Sequence, residues 1–142
     1  MASQLKVDTL TGVTTAGSID VTGEGNSTTT NLQQGLTKAW VHFNGTETVA
    51  TRDSFNMSSV TDRGTGTYTT SATNAMASAD YAWTSNSSNQ GTAYGSYCVE
   101  GDNTGTKNFN GRSSSDVRIS TGGYTSWDDN LSISSVYQGD LA

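Results

Sequence analysis

From Ala39 onward the apolar residues of this chain come in short alternating runs, each closed by turn formers: AWVHF before NGT, TVAT, FNMSSVT before DRGTG, TYTTSAT, ADYAWTS, AYGSYCVE before GDNTG, DVRIS before TGG, and LSISSVYQG. Successive side chains of a strand point to opposite faces, so such a run has one apolar and one polar face. Seven or eight of them, at intervals of roughly 8 to 15 residues, are the signature of a sandwich or barrel. The fold class expected is therefore all-β, with a jelly-roll-like β-sandwich over residues 38–142 preceded by a short extended β anchor arm and linker over residues 1–37. Asn44-Gly45 and Arg63-Gly64-Thr65-Gly66 are the best hairpin turns, because Gly accepts positive φ at no steric cost. Alternation sends Val41 and Phe43, Tyr81 and Trp83, Val117 and Ile119, and Leu131 and Ile133 inward.

Composition supports a β protein with a thin core. Ser, Thr, Gly and Asn make up about half of the 142 residues, hydrophobic residues 32% and charged residues 14%. Disordered chains are as polar, but they are usually rich in Pro and charge, and this chain has no Pro and a net charge of only -6. Thr favours extended backbone, and three Trp and six Tyr each offer a large area to bury. A thin core is marginal in isolation, so oligomerisation is expected to supplement it. The acidic balance, with seven Lys and Arg scattered singly, argues against nucleic acid as a partner. No stretch approaches the roughly 20 apolar residues of a membrane span.

The N-terminal segment is weaker. Leu5, Val7, Leu10, Val13, Ile19 and Val21 are spaced among Thr, Asp and Gly; Leu5 with Val7 and Ile19 with Val21 share strand faces. Such strands bury too little to stand alone, so these six residues are the candidate anchor, stable when copies wrap together or when the segment docks on another protein. Thr22–Thr30 has no apolar residue and reads as a linker, and NLQQGLTK (31–38) allows one helical turn. The first ten residues lack the basic start and apolar run of a signal peptide, which suits a protein released by lysis.

Motifs for chemistry are sparse. The single histidine, His42, alternates with Val41 and Phe43 and is expected on an outward face beside Trp40. Asp128 and Asp129 follow Trp127 and, with Glu100, are the first suspects for a polysaccharide-degrading enzyme, but adjacent strand residues diverge and SWDDN reads as a turn. Asp20–Gly25 and Glu100–Gly105 resemble calcium loops up to the sixth position and have Asn31 and Gly111 where the bidentate Glu belongs, so no metal or other cofactor is expected. Cys98 is expected as a small buried strand residue. Tyr94, Tyr97, Phe109, Tyr124 and Trp127 lie in Gly/Ser/Asn-rich surroundings and are the candidate surface-binding aromatics, since stacking faces beside amides and hydroxyls suit a saccharide.

Residues 1–46, the Arg52–Asn56 stretch, the Val60–Thr69 hairpin and the closing Ser134–Tyr137 resemble the small fibre-type virion structural proteins of marine cyanophages and related tailed phages. The resemblance covers most of the chain and is strongest over residues 1–70. It implies an N-terminal segment that attaches to other virion proteins of the tail or capsid, and a displayed β domain, usually a homotrimer; the candidate surface aromatics add a host-surface glycan as a candidate partner. It implies no catalytic motif. The expectation is a non-enzymatic tail-fibre or spike subunit on the virion exterior, with a capsid decoration protein as the alternative within the class and a polysaccharide-degrading enzyme as the remote one.

Overall fold

The computed structural model describes residues 4–12, 19–23, 28–88, 97–101, 111–123 and 126–142. Contacts divide the chain into two units, Met1–Leu36 and Thr37–Ala142. In the first, β1 (Asp20–Thr22) and β2 (Thr29–Asn31) form an antiparallel ribbon in which Thr22 faces Thr29 and Asp20 faces Asn31. The ends of the expected linker are thus paired: β-branched Thr favours extended backbone, and ladder bonds satisfy its peptide groups. The expected helical turn is α1 (Leu32–Gly35), with Asn31 Oδ1 accepting the Gln34 N–H at 3.0 Å as its N-cap. The strand expected through Leu5 and Val7 does not form: residues 4–12 belong to no strand among the described residues. Isolated apolar side chains on an unpaired segment bury too little to hold a ladder.

The second unit is a sandwich of two four-stranded antiparallel sheets. The first sheet has the order β4-β3-β10-β7, from β3 (Thr37–Asn44), β4 (Ala50–Phe55), β7 (Ala82–Ser88) and β10 (Ser132–Gln138). The second has the order β5-β6-β9-β8, from β5 (Met57–Gly64), β6 (Thr67–Ala72), β8 (Tyr97–Glu100) and β9 (Asp116–Gly122). The FNMSSVT run, which reads as one strand, is split at Asn56. There φ of 55° turns the chain from one sheet to the other, a left-handed conformation that Asn tolerates better than most residues. The Asn56 amide secures the corner. Its Nδ2 donates to Lys38 O at 3.0 Å, and its Oδ1 accepts the Asn74 N–H at 2.9 Å.

Alternation along the strands builds the core as expected at Val41, Phe43, Tyr81, Val117, Ile119 and Ile133, all buried. Trp83 is half-buried against the cluster edge, and Leu131 precedes β10 and is half-buried. Two residues outside the expected set are central. Tyr68 packs edge-on against Phe43 with centroids 5.2 Å apart, and Tyr137 lies 6.1 Å from Tyr81. Each buried Tyr satisfies its hydroxyl. Tyr68 donates to Asp129 Oδ1 at 2.8 Å and Gly45 O at 3.1 Å, and Tyr81 donates to Ser113 O at 3.0 Å. Tyr137 lies 2.6 Å from Thr70 Oγ1; that hydroxyl gives its own proton to Val117 O, so Tyr137 is the donor. A core this small gains from aromatics because each buries a large area, and a paired hydroxyl avoids the penalty of an orphaned polar group.

Candidate functional site

The outer face of the second sheet is built from the polar half of each strand pattern. With Tyr68, Thr70, Val117 and Ile119 buried inward, alternation turns Thr69, Ser71, Asp116 and Arg118 outward, and Thr61 and Arg63 on β5 join them. Register then makes neighbours of residues distant in sequence: Thr61 opposes Thr69, which opposes Arg118, while Ser71 opposes Asp116. The 111–115 segment runs beside β9, held by the Arg118 N–H to Gly111 O at 2.6 Å and the Ser113 N–H to Asp116 O at 2.8 Å. It brings in Arg112. The result is a concavity of about 280 Å³ walled by Arg63, Arg112 and Arg118, with Asp116 and hydroxyls of Thr61, Thr69, Ser71 and Ser113 between them.

Arg63, Arg112 and Asp116 are each held in a defined way. Arg63 donates from Nε to Thr69 Oγ1 at 3.1 Å, which lays its side chain across β6. Arg112 forms a bidentate ion pair with Glu100, donates to Tyr81 O, and sits over the Tyr81 ring, 5.1 Å from its centroid. Hydrogen bonding to Glu100 raises the Arg112 pKa further, against the opposing effect of desolvation. The Ser71 hydroxyl, assisted by Ser115, Ser113 and the charge of Arg63, holds the Asp116 carboxyl below its ordinary range although partial burial acts the other way. Three of the four arginines of the chain thus meet in one place, although they are scattered in sequence. The VRIS and TDRG patterns turn Arg118 and Arg63 outward, but nothing local says that they converge.

The first sheet has a different outer face. Phe55, Trp40 and Val136 are direct cross-strand neighbours and form an apolar row, with Phe55 54% and Val136 38% exposed. Beside it His42 is half-buried, on the outward face as expected. Its Nε2 lies 3.0 Å from Ser132 Oγ and 3.2 Å from Arg52 Nη1; a guanidinium only donates, so Nε2 accepts from it.

Of the candidate anchor residues, Leu5 is 81% exposed and Val7 and Leu10 are each 56% exposed, Ile19 and Val21 flank or join β1, and Val13 lies outside the described residues. Of the candidate surface aromatics, Tyr94, Phe109 and Tyr124 lie outside the described residues, as does the side chain of Tyr97. Trp127 is half-buried in an isolated bridge to Gly122. The three carboxylates first suspected of catalysis all have partners within the fold. Asp129 Oδ1 accepts the Gly66 N–H at 2.6 Å and the Tyr68 hydroxyl, Asp128 accepts from Ser126, and Glu100 pairs with Arg112. Of the two calcium-loop-like segments, residues 24, 25 and 102–105 lie outside the described residues, and no cluster of three or more metal-ligating side chains occurs among the described residues. Cys98 packs against the core, and burial pushes its thiol up to about 11 although a bond to Ser85 acts the other way.

No family model, no curated protein and no solved structure matches this chain.

Proposed function

We propose that this chain is a non-enzymatic structural subunit of a phage virion, a tail-fibre or spike subunit that works as a homotrimer and presents its β-sandwich at the host surface. The observation that carries this reading is the contrast between its two units. Thr37–Ala142 closes its own core, whereas residues 4–12 keep Leu5, Val7 and Leu10 in solvent. Fully burying a side chain of this kind stabilises by about 1.5–3 kcal/mol, so an arm that docks on a neighbouring virion protein would be held by several kcal/mol. The row of Phe55, Trp40 and Val136 supports self-association in the same way: copies of the chain that meet there remove a contiguous apolar strip from water.

Two measurements test this. Electron microscopy of particles carrying a labelled copy is expected to find the label on the tail, and deleting residues 1–12 is expected to remove it from particles while the purified chain stays folded. A label on the capsid would favour a decoration protein, and incorporation unaffected by the deletion would refute the anchor. Light scattering is expected to give a trimer, and Phe55→Ser with Val136→Ser to give a monomer of unchanged secondary structure; a wild-type chain that is monomeric at high concentration would refute the trimer.

A further inference from the structure

We propose that the concavity on the outer face of β5, β6 and β9 binds a neutral sugar ring, with the Thr69 hydroxyl and the Arg63 guanidinium donating to its oxygens, the Ser71 hydroxyl accepting from it, and the Thr61 hydroxyl completing the rim. That the ligand is a sugar deepens the reading of a domain displayed to a host surface and rests on it; neutrality follows from the wall itself.

The row on β6 carries the assignment. Thr69 and Ser71 stand two residues apart on one outward row, about 7 Å along the strand, close to the width of a single pyranose ring. A free hydroxyl both donates and accepts, but here the neighbours settle which each one offers. Arg63 Nε donates to Thr69 Oγ1 at 3.1 Å, which engages a lone pair and leaves the Thr69 proton for a ligand. Asp116 takes the proton of Ser71 and leaves the Ser71 lone pairs. Ser115 Oγ donates to the same carboxylate at 3.0 Å and helps to fix it. The row therefore presents a donor and then an acceptor in fixed order. Ring hydroxyls do both, so one ring can meet the two together.

Charge excludes the ionic alternatives. Each arginine of the wall already has a partner within the fold: Arg112 is ion-paired with Glu100, Arg63 is bonded to Thr69 and lies in the field of Asp116, and Arg118 is held by an interaction of its own. An anionic ligand would have to compete with these partners, whereas a neutral one leaves them in place. No contact is assigned to Arg112 or Arg118. Arg63 uses only Nε on Thr69, so its terminal nitrogens remain donors toward a ring oxygen. That bond also steadies the side chain, which limits the entropy lost on binding.

Size and access agree. About 280 Å³ lies just below the range of roughly 300–1,000 Å³ typical of drug-sized ligands, which suits one ring. Thr61 and Arg63 are exposed on the edge strand β5, so the rim is open to a sugar at the end or on a branch of a longer chain.

Titration of the purified full chain with D-glucose, D-galactose and D-mannose, followed by the amide NMR signals of Thr61, Thr69 and Ser71, tests the assignment. Saturable shifts are expected with at least one of the three, with a Kd that changes by less than about twofold between ~50 mM and ~500 mM NaCl. D-Glucuronate is expected to bind no tighter than D-glucose. Arg63→Met is expected to raise the hexose Kd by about tenfold and Thr61→Val by about threefold, while Arg52→Gln, on the other sheet, leaves it unchanged. Both test positions are exposed on an edge strand, so the variants keep the fold. No saturation by any of the three hexoses, glucuronate binding about tenfold tighter than glucose, a Kd that rises steeply with salt, or a Kd unmoved by Arg63→Met would each overturn the proposal. The titration and the location on particles are independent: failure of the first leaves the virion reading standing, and a protein absent from particles could still bind a hexose.

Discussion

The Tyr68 hydroxyl donates to the Asp129 carboxylate at 2.8 Å across 61 residues of chain, and the same carboxylate oxygen accepts the N–H of Gly66 at 2.6 Å. One side chain in the loop before β10 therefore anchors both the β5–β6 turn and the aromatic centre of the sandwich.

Removing this link is expected to cost stability. Tyr68→Phe keeps the ring packed against Phe43 and deletes only the hydroxyl, so a loss of about 1–2 kcal/mol is expected. Asp129→Ala also strips the acceptor from Gly66 and should cost more. Urea denaturation of the two single variants and the double variant checks this, and the double is expected to lose less than the sum because both act on one network.

Gly66 is the glycine at which substitution should be most costly. It turns at φ of 67°, and a Cβ there would lie 2.5 Å from Thr121 O and 2.9 Å from Asp128 N. Backbone cannot yield as a flexible side chain can. Gly66→Ala is expected to cost at least about 2 kcal/mol, from left-handed strain plus overpacking. Gly64→Ala, also at positive φ but with open space around its Cβ, should cost less; thermal melts of the pair separate crowding from strain.

Stability is expected to fall at alkaline pH. Desolvation by burial raises the pKa of Tyr68, Tyr81 and Tyr137, and Tyr137 reaches about 12 despite hydrogen bonds that lower it. In the unfolded chain these groups ionise near their ordinary value of about 10. Above that pH the folded state holds more protons than the unfolded one, so stability is complete below about pH 10 and is lost progressively above it. Denaturation midpoints from pH 8 to 12 should show this fall, and Tyr137→Phe should make it shallower.

Cys98 should be inert while the domain is folded. Its thiol is partly buried against the core with a pKa raised to about 11, so little thiolate exists at pH 8. Labelling by a disulfide reagent at pH 8 is expected to be slow and to accelerate in parallel with unfolding as urea is added. Rapid stoichiometric labelling in native buffer would contradict the burial.

Some features were legible locally because they depend on neighbours in sequence. Alternation in AWVHF and DVRIS marked Val41, Phe43, Val117 and Ile119 for the core, and Asn44-Gly45 and Arg63–Gly66 marked the turns. Tyr68 and Tyr137 were not legible. TYTTSAT sets one Tyr among Thr and Ser, and Thr70 is as deeply buried as many apolar residues, so hydropathy does not distinguish the inner from the outer row of β6. Nor did the FNMSSVT run reveal its corner, because the Lys38 and Asn74 partners that secure Asn56 are each 18 residues away.

What the sequence determined by itself is the class of element and the side of each strand that is polar, since both follow from a repeat of two residues and from turn chemistry within a few positions. Only the tertiary structure decided which polar residues meet. Arg63 lies 55 positions before Arg118, and the cross-strand ladder of β5, β6 and β9 brings them onto one face. Charged residues isolated in sequence thereby come to share one wall, because register between strands depends on the packed core beneath them and not on the residues that the register brings together.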